Sequence, residues 1–344
     1  MELIRLQDVE FGYGDRPVLC GVNLTIAENL VTVLVGPSGS GKSTVLRLIA
    51  GLEAPQRGSV FIDHEAVSLD GRVGQPPEAR GVSMVFQDLA LWPHMSAAET
   101  LDFVLGPGVP REDRRRRIEE TLTAVGLDRR VDARPAQLSG GERQRLALAR
   151  AIITRPRILL MDEPLANLDP PLRLALVDEI RNLRERFGLT ILYVTHNQQE
   201  TFAIGDHAAV LHGGQIEQTA TPRDLYERPR TTFVASFLGR CAILPGFLNA
   251  GIVETTLGAF PASGSTGARG PEVAVVIRPE DVLVGDDGKI SGQVDRVTSR
   301  GADFEAEITG PGWRLWATMR EEPKRAQMVR LSIHRVAIVP REGS

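Results

Sequence analysis

The sequence contains almost no lysine. Of 344 residues, 40 are Lys or Arg, and only three of these are lysines, Lys42, Lys289 and Lys324. With 44 acidic residues the formal net charge is −4, which argues against broad nucleic-acid binding. We therefore expect no nucleic-acid partner. We also expect Lys42, the sole lysine before residue 289, to do something that arginine cannot.

Cysteines and long apolar runs are scarce as well. Cys20 and Cys241 are far apart and form no CxxC pair, so neither a disulfide framework nor a zinc site is indicated. Apolar runs such as residues 30–35 are far shorter than the ~20 residues of a membrane span, and the N-terminus lacks a signal-peptide pattern. These absences predict a folded, soluble, unexported chain. At roughly 150 residues per domain, two domains are expected.

A glycine-rich loop follows the pattern of a buried strand. The β-branched run at 31–35 leads into GPSGSGKST, which matches GxxxxGK[ST]. Its glycines let backbone N–H groups converge on phosphate oxygens, and the helix expected over 42–50 presents its N-terminus to the same anion. Lys42 adds a compact ammonium, and the Ser43 hydroxyl is a candidate Mg²⁺ ligand. The candidate nucleotide-binding residues here are Gly36, Pro37, Ser38, Gly39, Ser40, Gly41, Lys42, Ser43 and Thr44.

A pair of acidic residues ends a second buried-strand pattern. Residues 157–161 are mostly apolar and are followed by Asp162 and Glu163. Parallel α/β sheets place ligands at the carboxyl ends of their strands, so the pair should face the phosphate loop. We expect Asp162 to hold Mg²⁺, mostly through water, and Glu163 to polarise the water that attacks the γ-phosphate. An exposed acidic turn is the alternative.

The segment 138–152 has the sequence LSGGERQRLALARAI and is the third motif beside the phosphate loop and the acidic pair. Ser139, Gly140 and Gly141 make an anion-ready start to an amphipathic helix. With the phosphate loop and the acidic pair, this segment resembles the signature of ABC transporter ATP-binding subunits, LSGGQ, with Glu142 in place of Gln. The resemblance implies ATP and Mg²⁺ as cofactors, ATP hydrolysis, and a head-to-tail homodimer. In such a dimer the signature of one copy closes on ATP held by the other.

The resemblance assigns roles to four more residues. It implies that Tyr13 stacks on adenine and that Gln87 touches Mg²⁺ and the attacking water. It further implies that Asp169 lies in a loop crossing the dimer interface and that His196, after an apolar strand, contacts the γ-phosphate. Taken alone, Tyr13 could be a strand-end aromatic and His196 a core or surface histidine.

Residues from about 88 to 155 resemble the helical subdomain of the family. A capping box at Ser96 and Glu99 predicts a helix to about Leu105, and a second helix is expected from about Arg111 to Val125.

The resemblance implies that this subdomain contacts integral membrane permease subunits. Leu91, Trp92 and His94 are the candidate contacts, and packing of Trp92 within the subdomain is the alternative reading. The run of four arginines at 114–117 is surrounded by acidic residues and predicts a solvated helix face.

From Cys241 onward, short β-like runs alternate with Gly, Pro and Ser turns, which predicts a small β-barrel. The run IRPED at 277–281 matches a turn of the oligonucleotide-fold-like regulatory domains carried by importer ATPases. Such a domain would make a dimer contact or sense a solute. The short β-like runs from which the barrel is predicted are at 272–277, 289–294, 304–309, 314–319 and 329–339.

The predicted fold is α/β. A P-loop NTPase domain with an antiparallel β subdomain and a helical subdomain spans residues 1–240, and an all-β, barrel-like regulatory domain spans 241–344. The chain is identified as the ATPase of a prokaryotic importer, bound to the cytoplasmic side of the inner membrane and linked only indirectly to an extracytoplasmic solute-binding protein.

The solute is less determined by the sequence. In appearance the chain is most similar to ferric-iron importer ATPases, while polyamine, sulfate, thiamine and phosphonate importers share the architecture.

The alternatives to an importer ATPase are a soluble ABC-type ATPase acting on DNA or the ribosome and a small-molecule kinase. The former usually has two fused ATPase units or a coiled-coil insertion, and the latter leaves the signature, Glu163 and His196 without a role.

Overall fold

The computed structural model describes residues 1–166, 168–262 and 271–341. It divides the chain into two units, Met1–Pro222 and Arg223–Ser344. The boundary between residues 240 and 241 stays a prediction. Among the described residues, no helix is both long and apolar enough to cross a membrane.

The first unit is built on a six-stranded sheet in the order β11-β10-β3-β9-β8-β7. All neighbours are parallel except β10 and β11. Every residue of β3, β8 and β9 is buried, as expected for central strands of a parallel sheet covered on both faces. The strands are β3 (Val31–Val35), β7 (Val82–Val85), β8 (Ile158–Asp162), β9 (Thr190–Thr195), β10 (His207–His212) and β11 (Gln215–Ala220).

A five-stranded antiparallel sheet, in the order β2-β1-β4-β5-β6, forms the predicted antiparallel subdomain. Its inward side chains share one apolar cluster with the first helix, α1, and with strands β8 and β9. The phosphate loop and its helix are therefore held between two sheets. The strands are β1 (Glu2–Tyr13), β2 (Arg16–Ala27), β4 (Arg57–Ile62), β5 (Glu65–Leu69) and β6 (Arg72–Val73).

In the described part of this unit, six segments are α-helices. The capping box predicted at Ser96 is present, since Ser96 Oγ accepts from Glu99 N at 3.2 Å and Glu99 Oε2 accepts from Ser96 N at 2.7 Å. The helices are α1 (Lys42–Ala50), α2 (Ala97–Leu105), α3 (Arg111–Ala124), α4 (Gly140–Ile152), α5 (Pro170–Phe187) and α6 (Gln198–Ile204). The predicted extent of the helical subdomain, about 88–155, contains α2, α3 and α4.

The second unit is mostly β-structure, which confirms the predicted all-β domain. After α7 (Pro222–Glu227) and α8 (Thr232–Phe237) come two antiparallel five-stranded sheets. The first, in the order β14-β13-β12-β15-β21, contains β12 (Ala242–Asn249), β13 (Ile252–Thr255), β14 (Gly258–Pro261), β15 (Glu272–Ile277) and β21 (Ala337–Pro340).

The second sheet is nearly closed, because its edge strands β16 and β19 lie next to each other. One apolar core joins both sheets. The strand order in the second sheet is β16-β20-β17-β18-β19. Its strands are β16 (Val282–Val284), β17 (Ile290–Ser299), β18 (Phe304–Gly310), β19 (Trp313–Met319) and β20 (Met328–Ile333).

The predicted single run at 329–339 is wrong. It is two strands, β20 and β21, that belong to different sheets. The chain leaves the ladder at His334, whose N–H donates to Asp281 O, and at Arg335, whose Nε lies 3.2 Å from the Asp281 carboxylate. Polar partners at this corner interrupt the alternating apolar pattern.

Candidate functional site

The glycine-rich loop forms a cradle at the carboxyl end of β3. Gly36 lies so close to β10 that a Cβ would stand 2.1 Å from Leu211 O, and Gly41 adopts φ 103° at the start of α1. Both positions therefore require glycine. The hydroxyl of Ser40, a residue only 8% exposed, has no hydrogen-bond partner in the described part of the chain. Such an orphaned donor fits an anionic ligand.

Lys42 is held within this loop. Its Nζ donates to Gly36 O at 3.0 Å and to Pro37 O at 2.9 Å. Burial lowers the pKa of the Lys42 ammonium, while the nearby carboxylates of Glu163 and Asp162 act in the opposite sense. The ammonium is thus positioned over the loop and close to both acidic groups.

Oxygen donors suited to a small divalent cation meet beside the loop. Ser43 Oγ donates to Asp162 Oδ1 at 2.9 Å. Ser43 and Gln87 both line the cavity into which the loop opens. Burial raises the pKa of Asp162, although the hydrogen bond from Ser43 lowers it. Among the described residues, no cluster of three or more His, Cys, Asp and Glu side chains forms a complete metal cage. A sparse oxygen set suits Mg²⁺, which keeps several waters and shares its coordination with substrate phosphates.

Glu163 and His196 are brought together by adjacent parallel strands. The Glu163 N–H donates to Val194 O at 3.0 Å, and Glu163 adopts a left-handed φ of 44° at the end of β8. Its Oε2 lies 3.0 Å from His196 Nδ1. Strain in a non-glycine residue is typical of functional positions. Glu163 lines the nucleotide cavity, whereas His196 contacts the Glu163 carboxylate and is not itself among the lining residues.

A buried network supports the turn that carries His196. The carboxylate of Glu200, a residue 4% exposed, accepts hydrogen bonds from Tyr193 and Thr195, each at 2.8 Å. Arg173 Nε of α5 lies 3.6 Å from the same carboxylate. These residues were not predicted from the sequence. A carboxylate four positions after His196 on a short helix was the available signal.

The cradle opens into a cavity of about 880 Å³. Tyr13 lies on its wall, 47% exposed and edge-on to Phe11, with ring centroids 5.0 Å apart. The structure also adds wall residues that the sequence analysis did not select, from β2 and from the turn between β10 and β11. These are Arg16, Pro17, Val18, Cys20, Gly213 and Gly214.

The signature segment lies apart from this cavity. Ser139 Oγ accepts from Glu142 N at 3.2 Å, and Glu142 Oε2 accepts from Ser139 N at 2.8 Å, a capping box that starts α4. The backbone N–H of Ser139 and the Arg130 guanidinium lower the pKa of Glu142 to about 2. Gly141 is packed against Leu172, where a Cβ would meet a methyl carbon at 2.8 Å. None of these residues is among those that line the cavity.

The remaining selected residues occupy the flanking segments. Asp169 is at the N-cap position of α5, where its side chain makes no capping hydrogen bond. Leu91 and Trp92 are half-buried and His94 is exposed. The Trp92 ring packs edge-on against Phe103 at 5.0 Å, so packing within the subdomain accounts for part of its surface.

Comparisons with known proteins find relatives along most of the chain. A family model described as ABC transporter matches residues 19–166. The chain is 39% identical to the Fe(3+) ions import ATP-binding protein FbpC of Escherichia coli strain K12, over 96% of this chain and 95% of that protein. It is 42% identical to the sn-glycerol-3-phosphate import ATP-binding protein UgpC 2 of Agrobacterium fabrum, over 90% of this chain and 84% of that protein.

Two solved structures share the fold of the ATP-binding part. The ATP-binding cassette MJ0796, solved as a dimer in a post-hydrolysis state with ADP and Pi, matches with a TM-score of 0.57 at 32% identity, covering 64% of this chain and 99% of that one. The protein cbiO1 from Clostridium perfringens, part of the ABC transporter complex cbiONQ, matches with a TM-score of 0.60 at 24% identity, covering 65% and 90%.

Proposed function

Because this chain belongs to the ABC transporter family, as the ATP-binding and ATP-hydrolysing subunit of an importer, we propose that two copies of it drive solute uptake through a membrane permease. The observation that carries the proposal is that Lys42, Ser43 and Glu163 line one cavity, with Asp162 hydrogen-bonded to Ser43 and the signature outside the cavity. One copy alone thus presents half of a nucleotide site.

In the proposed reaction, the loop N–H groups and Lys42 bind the β- and γ-phosphates of ATP. Ser43, Asp162 and Gln87 would hold Mg²⁺, which supplies charge neutralisation at those phosphates. Glu163 orients and polarises the attacking water, because it lines the cavity at the end of β8. His196 fixes that carboxylate through Nδ1, and we assign its other ring nitrogen to the γ-phosphate.

The substitution Glu163→Gln tests the assigned chemistry. It keeps the size of the side chain and removes the charge that polarises water. We expect ATP affinity to stay within about twofold and turnover to fall by at least roughly 100-fold. Equilibrium binding of ATP and release of phosphate measure the two quantities. Wild-type turnover in Glu163→Gln would refute the role of Glu163.

The second half of the site is proposed to come from a partner copy. Ser139, Gly140, Gly141, Glu142 and Asp169 would then close on the nucleotide held by the other chain. The N-terminus of α4 supports this, since its N–H groups and dipole favour a phosphate.

Mixing two defective chains tests this geometry. A Lys42→Ala chain keeps its signature, and a Ser139→Ala chain keeps its phosphate loop, so only a mixed dimer contains an intact composite site. With random pairing, half of the dimers are mixed and have one working site of two, so about a quarter of wild-type turnover is expected. Each variant alone is the control. A mixture no more active than the separate variants contradicts a site shared between copies.

We further propose that the permease contacts Leu91, Trp92 and His94 and that the protein binds peripherally to the cytoplasmic face of the inner membrane. Support comes from the exposure of His94 and from the position of all three a few residues after Gln87, which lines the nucleotide cavity. Movement of this segment would therefore reach the site of hydrolysis.

For the solute we propose ferric iron, delivered by an extracytoplasmic binding protein. The support is the relative from Escherichia coli strain K12, which matches over almost its entire length. Glycerol 3-phosphate is the second candidate, because the UgpC relatives reach 42% identity. Calorimetric titration of the binding protein recovered with the complex distinguishes the two: saturable Fe³⁺ binding supports the proposal, and binding of glycerol 3-phosphate alone replaces it.

A further inference from the structure

The arginine run on α3 only partly forms the solvated face that the sequence predicts. Its first three members each lie in an ion pair, Arg114 with Asp102 at 2.8 Å, Arg115 with Glu119 at 2.9 Å and Arg116 with Asp113 at 2.8 Å. Arg117 differs from them. Its Nε is enclosed and has no hydrogen-bond partner among the described residues.

Arg117 lines a cavity of about 340 Å³ that is separate from the nucleotide cavity. Two more arginines line it, Arg155 after α4 and Arg186 near the end of α5. The one carboxylate among its lining residues is Glu120, at 3.4 Å from Arg155. Three positive charges and one negative charge give the wall a net charge of +2. The remaining wall residues are Thr121, Ile152, Ile153 and Phe187.

Helix dipoles account for only part of this cluster. α4 and α5 both end at the cavity, and cations near helix C-termini are favourable. That explains Arg186, which is in the last turn of α5. Arg117, however, is in the middle of α3, far from either end of its own helix. The chain thus brings arginines from three separate elements together around one space, and an anion between them would reduce their mutual repulsion.

We infer that this cavity binds a small phosphomonoester, with its phosphoryl dianion between Arg117, Arg155 and Arg186. Guanidinium groups pair with phosphate oxygens through parallel charge-assisted hydrogen bonds. The volume is within the range of small-molecule sites and exceeds what a phosphate alone needs. The partly exposed Phe187 offers apolar surface for the esterified group, whereas Ile152 and Ile153 behind it are 1% exposed. The site does not depend on the proposed transport function.

Calorimetric titration of the full chain tests the inference. The protein is first saturated with Mg-ADP, so that the phosphate loop is occupied and cannot bind the probe. Phenyl phosphate, inorganic phosphate and phenol are then compared. We expect one phenyl phosphate per chain, bound at least about tenfold more tightly than inorganic phosphate because the ring contacts the apolar surface of Phe187, and no saturable binding of phenol. Equal or tighter binding of inorganic phosphate overturns the monoester assignment.

Two variants on the same helix locate the site. Arg117→Gln should weaken phenyl phosphate binding by roughly tenfold or more. Arg115→Gln, which removes an equal charge from the exposed ion pair with Glu119, should leave it within about twofold. Thermal unfolding with and without Mg-ADP checks that both variants fold and still bind nucleotide. The inference is overturned if the wild-type chain shows no saturable binding, or if Arg117→Gln binds as tightly as wild type.

Discussion

The buried guanidinium of Arg80 gives the sharpest stability prediction. The residue is 4% exposed, and burial lowers its pKa to about 10. All five N–H donors are used. Nε donates to Gln75 O at 2.8 Å, Nη1 to Leu48 O at 2.9 Å and Ile49 O at 2.8 Å, and Nη2 to Val67 O at 2.9 Å and Ser68 Oγ at 2.7 Å. Arg80 therefore joins the C-terminus of the phosphate-loop helix to strand β5.

We expect Arg80→Lys to destabilise the ATP-binding unit, because lysine has three donors for five acceptors. At least two of the five hydrogen bonds from this charged group are lost, each worth ~1.5–3 kcal/mol. A total of about 3 kcal/mol corresponds to a decrease in Tm of roughly 6–12 °C for a unit of this size.

Differential scanning calorimetry of the full chain measures this change. The transition of the ATP-binding unit is the one that ADP shifts upward, because a ligand stabilises the state that binds it. Arg57→Lys is the matched control. Its side chain is 79% exposed and lies 3.8 Å from Glu10, so a change of at most about 1 °C is expected. An Arg80→Lys transition within 2 °C or so of wild type would refute the reasoning.

Three further predictions concern Cys20, Glu200 and Glu142. ATP should slow maleimide alkylation of Cys20, which lines the cavity, without changing that of Cys241, whose pKa is raised by burial; equal rates at Cys20 with and without ATP would place the nucleotide elsewhere. Glu200→Gln should lower kcat by up to ~100-fold with little change in ATP affinity, and an unchanged kcat would show that the buried network does not position His196. Because the pKa of Glu142 is lowered to about 2, its stabilising effect is complete above its ordinary pKa of 4.5 and is lost as the pH falls towards 2. The difference in urea midpoint between wild type and Glu142→Gln should therefore narrow below pH 4.5, and a constant difference would contradict the shift.

Contiguous motifs allowed the local structure to be predicted well. The helix expected over 42–50 and the strand at 31–35 are found with those bounds, because glycine, helix-start and β-branched signals all agree there. The meeting of Asp162 with Ser43 followed from a general property of parallel sheets, which align the carboxyl ends of their strands.

Features that depend on packing between distant segments were not predicted. Arg80 and Glu200 look like ordinary charged residues in the sequence, and only the fold surrounds them with acceptors or donors. Cys20 reaches the cavity because β2 belongs to a different sheet from the phosphate loop. The break between β20 and β21 was also missed, although the consecutive polar residues His334 and Arg335 interrupt the alternation of apolar residues there.

Isolation of the protein from its native membranes is the most direct test of its role in transport. A tagged Glu163→Gln chain, held in the ATP-bound state with Mg-ATP, is recovered and the proteins bound to it are identified. We expect Glu163→Gln with ATP to retain a polytopic membrane protein in stoichiometric amount. The amount recovered should be lower with Lys42→Ala. Recovery with ribosomal or DNA-bound proteins alone, and with no membrane protein, would contradict a role in transport.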